Sequence, residues 1–183
     1  MLKNQRNLLL GVPKCGSTSA RVFLDGELVS EEDMHLLYKD IVGEFDNVYA
    51  FWRDPVDRFQ SAIKFELYSK QSATTFQPII LEDTALTLNA REKITDFMSG
   101  KPPSQPTFKL QSEWYKNVPN LTILPFSEYE TSIRFLETIF GSKGPNIPWF
   151  NKSGTFLKLD KDVEEMIKDY YKEDYNYEPK RKS

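Results

Sequence analysis

"NLLLGVPKCGSTSARVFL", residues 7–24, decides how this chain is read. An apolar run enters Gly11, a short loop carries Lys14, Gly16 and three consecutive hydroxyls, and an apolar-spaced segment follows. Strand, tight loop and helix in that order set backbone N–H groups around one point, at the positive end of a helix. Gly11 and Gly16 allow close backbone approach to an anion. Ser17, Thr18 and Ser19 add donors, and Lys14 adds a full charge. The plain alternative is an ordinary Gly- and Ser-rich turn. The ATP-binding pattern G-x-x-x-x-G-K-[ST] fails here, because Ser17 follows Gly16 where that pattern has its lysine. Without a lysine there to reach the β- and γ-phosphates, an ordinary nucleoside triphosphatase is disfavoured.

Working outward, residues 7–12 read as a buried strand and 17–26 as a short helix closed by Gly26. A second helix is expected over 29–45, capped by Ser30 with acids in its first turn. "NVYAFWRDP" (47–55) is a strand ended by Pro55, and 55–70 a helix with proline first. The polar stretch 71–90 reads as a loop or lid, 89–101 as a helix, and 112–117 as continuing a helix begun near Phe108. A strand over 121–126, a helix over 128–141, a loop over 142–159 and an amphipathic helix over 161–175 complete the pattern, before a charged tail at 176–183. Alternating strands and helices predict a single α/β domain over residues 1–183, with a central parallel sheet flanked by helices.

Composition bounds the function. The 183 residues carry 39% hydrophobic side chains, enough for one buried core. A net charge of -3 and a pI near 5.4 disfavour a nucleic-acid partner, which calls for a basic excess. Any anion site must therefore come from local placement of Lys and Arg. One cysteine, Cys15, excludes an internal disulfide, and one cysteine with one histidine supplies too few of zinc's usual ligands. No apolar run suits a secretory signal or a membrane span, so a soluble, cytoplasmic protein without a membrane partner is expected.

A second motif, "VYAFWRDPVDRFQSAIKF" (48–65), sets Arg53 at the end of a strand and Ser61 eight positions on, about two turns along the next helix. A strand's C-terminal edge is where open α/β sheets form ligand crevices. The loop P-K-C-G-S-T-S (13–19) resembles the P-K-x-G-[ST]-[ST] loop of sulfotransferases. Arg53, Asp54, Pro55, Arg58 and Ser61 match their R-[ND]-P-x-x-R-x-x-S pattern. Taken alone, each could be a capped surface turn. Both together, in this order, make the chain similar to the sulfotransferase family, with its P-loop-like nucleotide-binding fold. Weaker likeness to carbohydrate-type members continues through 108–136, "FNKSGT" (150–155) and the tyrosine-bearing C-terminal helix. Residues 66–105 match no segment of the family and are taken as a variable acceptor or lid region.

The resemblance implies that residues 14–19 (Lys14, Cys15, Gly16, Ser17, Thr18 and Ser19) grip the 5′-phosphosulfate of the donor PAPS. It implies that Arg53 and Ser61 bind the 3′-phosphate, with Lys152 and Ser153 as further contacts, and that no metal is required. Sulfuryl transfer to a hydroxyl needs a base and positive charge over the departing oxygen. Lys14 suits the second role as a mobile point charge, and Arg53 suits a fixed bidentate contact. His35, 21 residues after Lys14, is the expected base, with Glu31, Glu32 and Asp33 as competitors. The family's helix aromatic after the loop hydroxyls is replaced by Ser19, which leaves adenine stacking to Trp52 or to an aromatic in 142–157. Cys15 is read with a thiol pKa lowered by the helix terminus. Gln111 either contacts an acceptor sugar or caps a helix.

The sequence thus predicts an enzyme, a PAPS-dependent O-sulfotransferase acting on a carbohydrate or glycan-like hydroxyl and releasing PAP. The alternatives are a P-loop-like nucleotide kinase or NTPase, and a non-catalytic PAP- or PAPS-binding protein.

Overall fold

The computed structural model describes residues 1–29, 35–72, 83–147 and 158–180. Among them, five strands form an open mixed sheet: β1 (Leu2–Asn4), β2 (Asn7–Leu9), β3 (Glu27–Leu28), β4 (Asn47–Trp52) and β5 (Leu121–Pro125), in the order β3-β1-β2-β4-β5. Only β2, β4 and β5 run parallel; β1 is antiparallel to both β2 and β3, which corrects the expected parallel sheet. The chain start folds back as a tight hairpin through Gln5, whose φ of 51° makes the turn. Met1 and Leu2 are buried there, but three residues are too few for alternation to be read from sequence.

The helices are α1 (Ser17–Phe23), α2 (Pro55–Ser72), α3 (Asp83–Met98), α4 (Ser112–Tyr115), α5 (Tyr129–Phe140) and α6 (Lys161–Tyr170). The helix expected over 29–45 is absent from its described part, 35–45, which holds one 3-10 turn at Tyr38–Asp40. Leu36, Leu37, Tyr38 and Ile41 still pack on the core, and Gly43 (φ 140°) turns the chain away from helix. The loop expected over 71–90 is corrected from 83 onward. There α3 presents Leu86, Ala90 and Ile94 at a spacing of four, each fully buried. Residues 73–82 lie outside the described part.

Two apolar clusters hold the domain together. Leu8, Val48, Ala50 and Phe51 of the sheet pack with Phe23 of α1 and with Ile133 and Leu136 of α5. Phe59 and Ile63 of α2 pack with the buried stripe of α3 and with Val163 and Ile167 of α6. Each such side chain contributes roughly 1.5–3 kcal/mol by leaving water. The β2–β4 pairing, with Leu9 opposite Tyr49, brings the C-terminal ends of both strands side by side. That pairing positions the site.

Candidate functional site

From β2 the chain runs through Leu10–Pro13 into a curl where Lys14 (φ 63°) and Gly16 (φ 78°) both adopt the left-handed conformation. The glycine is required there for packing. A Cβ at Gly16 would lie 2.6 Å from Tyr129 Cε2 and 2.9 Å from Phe126 Cε2. Tyr129 further fixes the curl by donating its hydroxyl to the Gly16 carbonyl at 2.9 Å. Lys14 pays for the same backbone geometry without glycine's freedom, a strain of about 1–2 kcal/mol. Because α1 has only seven residues, its dipole is a small part of the local field, and the two cations dominate.

The second turn is built by Asp54. Its Oδ1 accepts from the backbone N–H groups of Val56 (2.9 Å) and Asp57 (3.1 Å), capping α2 behind Pro55. Arg53, at the end of β4, is then aimed at the first loop and donates Nη1–H to the Lys14 carbonyl at 3.0 Å. Its guanidinium also lies 4.7 Å from the centroid of the Phe126 ring, and the Lys14 ammonium 4.2 Å from that of Phe65. Arg58, the second arginine of the motif, turns away from the site. It is buried beneath Tyr171 and donates to the carbonyls of Thr107 and Lys109.

The two turns face one cleft of about 280 Å³, lined by Lys14, Gly16, Ser17, Thr18, Ser19, His35, Arg53, Ser61, Phe65, Thr107 and Phe126. Among the described residues no carboxylate lines it. Hydroxyls, two cations and aromatic faces make a donor set suited to phosphate or sulfate groups, near the lower end of small-molecule pocket sizes. Burial, and then the Arg53 charge, push the Lys14 ammonium down from 10.5 to about 8. Burial also lowers Arg53 from its ordinary value. Both cations are therefore held against their own solvation, and an anion in the cleft relieves both.

His35 reaches the cleft from the segment after β3. Its Nδ1 lies 2.5 Å from the Gly11 carbonyl. A carbonyl can only accept, so Nδ1 carries the proton and Nε2 keeps the basic lone pair in the neutral ring. Trp114 Nε1–H donates to the His35 carbonyl at 3.1 Å and fixes the backbone there.

Other expectations are corrected. Cys15 points into the core, fully buried; its thiol donates to Gln111 Oε1 at 3.2 Å, and burial pushes it up to about 11, opposite to the expected activation. Its side chain is not among the cleft's lining, which leaves at most its backbone for a ligand. Gln111 stands at the N-cap position of α4 but makes no side-chain cap bond there, and its side chain is not in the cleft's lining. It is wholly buried, with its amide bonded to the Arg53 backbone and to Asp174. Trp52 cannot stack on adenine, since its ring is buried and Nε1–H donates to the Asp174 carbonyl at 2.9 Å. Glu31, Glu32, Asp33, Lys152 and Ser153 lie outside the described residues.

Sequence reasoning missed Phe126, Phe65 and Thr107. Phe126 follows the third parallel strand, so counting β5 among the strands that open on the crevice would have found it. Phe65, on α2, is half exposed at the cleft. Among the described residues no helix is long and apolar enough to cross a membrane, and no group of three or more His, Cys, Asp or Glu is placed to hold a metal. Comparison of the chain with protein-family models, with curated proteins and with solved structures finds no match in any of the three.

Proposed function

We propose that this chain is a PAPS-dependent O-sulfotransferase on a P-loop-like nucleotide-binding fold, sulfating a hydroxyl of a carbohydrate or glycan-like acceptor. The observation that carries this reading is the convergence of both motif turns, with Lys14, Arg53 and the loop hydroxyls, on one cleft. Lys14 supports it further. A lysine that is backbone-strained, desolvated and set beside an arginine lowers the stability of the folded chain, and an anionic ligand offsets that cost.

PAPS, when bound, supplies the sulfuryl group and leaves as PAP. Ser17, Thr18, Ser19 and the Lys14 ammonium hold the 5′ end, and Arg53 with Ser61 holds the 3′-phosphate. Lys14 sits on a flexible stem and follows negative charge as it builds on the bridging oxygen. His35 takes the acceptor hydroxyl proton on Nε2, and its Nδ1–H stays bonded to the Gly11 carbonyl, so the imidazolium that forms is already oriented.

Thermal shift with PAP and with ATP–Mg²⁺, followed by transfer of labelled sulfate from PAPS to a hydroxyl-bearing acceptor library, tests the reading. PAP is expected to stabilise the protein and ATP–Mg²⁺ to do little. Stabilisation by ATP–Mg²⁺ alone would assign the cleft to a kinase or NTPase. Binding of PAP with no transfer to any acceptor would leave a binding protein.

A further inference from the structure

Both anion-binding turns are tied to one buried side chain outside the cleft. Gln111 Nε2 donates to the Arg53 carbonyl at 2.8 Å, and Gln111 Oε1 accepts from the Arg53 N–H at 3.1 Å. The same Oε1 accepts the Cys15 thiol at 3.2 Å and the Tyr115 hydroxyl at 3.3 Å. Arg53 Nη1 closes the ring on the Lys14 carbonyl, one peptide from Cys15. Gln111 is in turn gripped by Asp174, fully buried after α6: Oδ2 accepts the Gln111 N–H at 3.0 Å, and Oδ1 accepts the Ser112 N–H at 2.8 Å. Asp174 also receives Trp52 Nε1–H on its carbonyl, which ties the same point to the end of β4.

We infer that Gln111, held by Asp174, is a positioning residue that sets the spacing between the Lys14 loop and the Arg53 turn, and so tunes the site for a ligand with two separated anionic groups. This rests on the proposed reading of the cleft and goes beyond it, because neither residue touches the ligand. A primary amide suits the task. It offers a donor and an acceptor at once to the Arg53 peptide, which fixes a backbone rather than a mobile side chain. Its acceptor oxygen, shared with the Cys15 thiol, registers the first loop against the second turn. A change in that register moves one cation relative to the other and leaves each one's own donors in place.

The experiment compares Gln111→Met with the wild type in binding of PAP and of adenosine 5′-phosphate, which engages one turn only. Two structural readouts accompany it: hydrogen exchange at the Arg53 amide, and labelling of Cys15 by a thiol reagent in the native protein. The expected result is a loss of about tenfold or more in PAP affinity with less than about threefold in adenosine 5′-phosphate affinity, as befits a small displacement between two binding groups. Faster Arg53 exchange and faster Cys15 labelling should accompany it. Equal weakening of both ligands, or unchanged affinity for both, overturns the inference and leaves Gln111 a packing residue. If Gln111→Met does not fold, Asp174→Asn, which keeps one acceptor oxygen and removes the charge, is expected to move the same readouts in the same direction. Should the wild type bind neither nucleotide, the reading of the cleft fails. The tie between the turns is then judged by exchange and labelling alone, and unmoved values reject it.

Discussion

Replacing Lys14 with methionine should make the protein more stable and catalytically dead. The ammonium is lowered from 10.5 to about 8 by burial and by Arg53. The charged form therefore destabilises the folded chain by about 3 kcal/mol at neutral pH. Methionine keeps the apolar stem but loses the attraction of the cation for the Phe65 ring, about 1 kcal/mol. The variant should thus lead the wild type by about 2 kcal/mol at pH 7. The folded chain releases this proton at a lower pH than the unfolded chain does. Wild-type stability consequently rises between about pH 8 and 10.5, by about 2 kcal/mol from pH 7 to pH 9.5, so the variant's lead should all but vanish by pH 9.5. Urea unfolding of both proteins at pH 7 and pH 9.5, with equal m-values, reads this directly. A variant less stable than the wild type at pH 7, or a lead that does not change with pH, would refute the reasoning. In the same variant, sulfuryl transfer should vanish and PAP affinity should weaken only modestly, because PAP lacks the sulfonate that Lys14 serves.

Further outcomes follow from the same geometry. Arg53→Ala should cost about 2–5 kcal/mol of PAP affinity in calorimetry, and Arg53→Lys should recover little, since the fixed guanidinium contact is lost. His35→Gln should lower kcat by about 10²–10⁴-fold with PAP affinity kept, measured by labelled-sulfate transfer; an unchanged kcat would move the base to Glu31 or Glu32. Gly16→Ala should destabilise the fold by roughly 2–4 kcal/mol in urea unfolding, because φ is 78° and the new methyl meets the Tyr129 ring. PAP affinity should fall as pH rises through about 8, where Lys14 loses its charge, and this dependence should disappear in Lys14→Met.

The two motif turns were legible because short-range rules make them. Pro55 and Asp54 announce the start of α2, and apolar residues 8–10 announce β2. Their convergence could be anticipated only as a property of parallel strands, and β2 beside β4 supplies it. What failed in the sequence reading was set by distant partners. Gln111 does stand at the start of α4, but its burial against Asp174, 63 residues on, has no local signal and removes it from any acceptor. Cys15 looks activated by its loop until the core encloses it, and burial outweighs two nearby arginines. The helix expected over 29–45 has helical spacing, yet Leu36, Leu37 and Tyr38 reach the core from a turn. Three-residue strands such as β1 carry too little pattern to be read at all.

A crystal structure with PAP bound tests the central claim most directly. The 5′-phosphate should lie against Lys14 and Ser17–Ser19, and the 3′-phosphate against Arg53 and Ser61, with one adenosine bridging them. Phosphates bound away from either turn, or a nucleotide that engages only one of them, would contradict it.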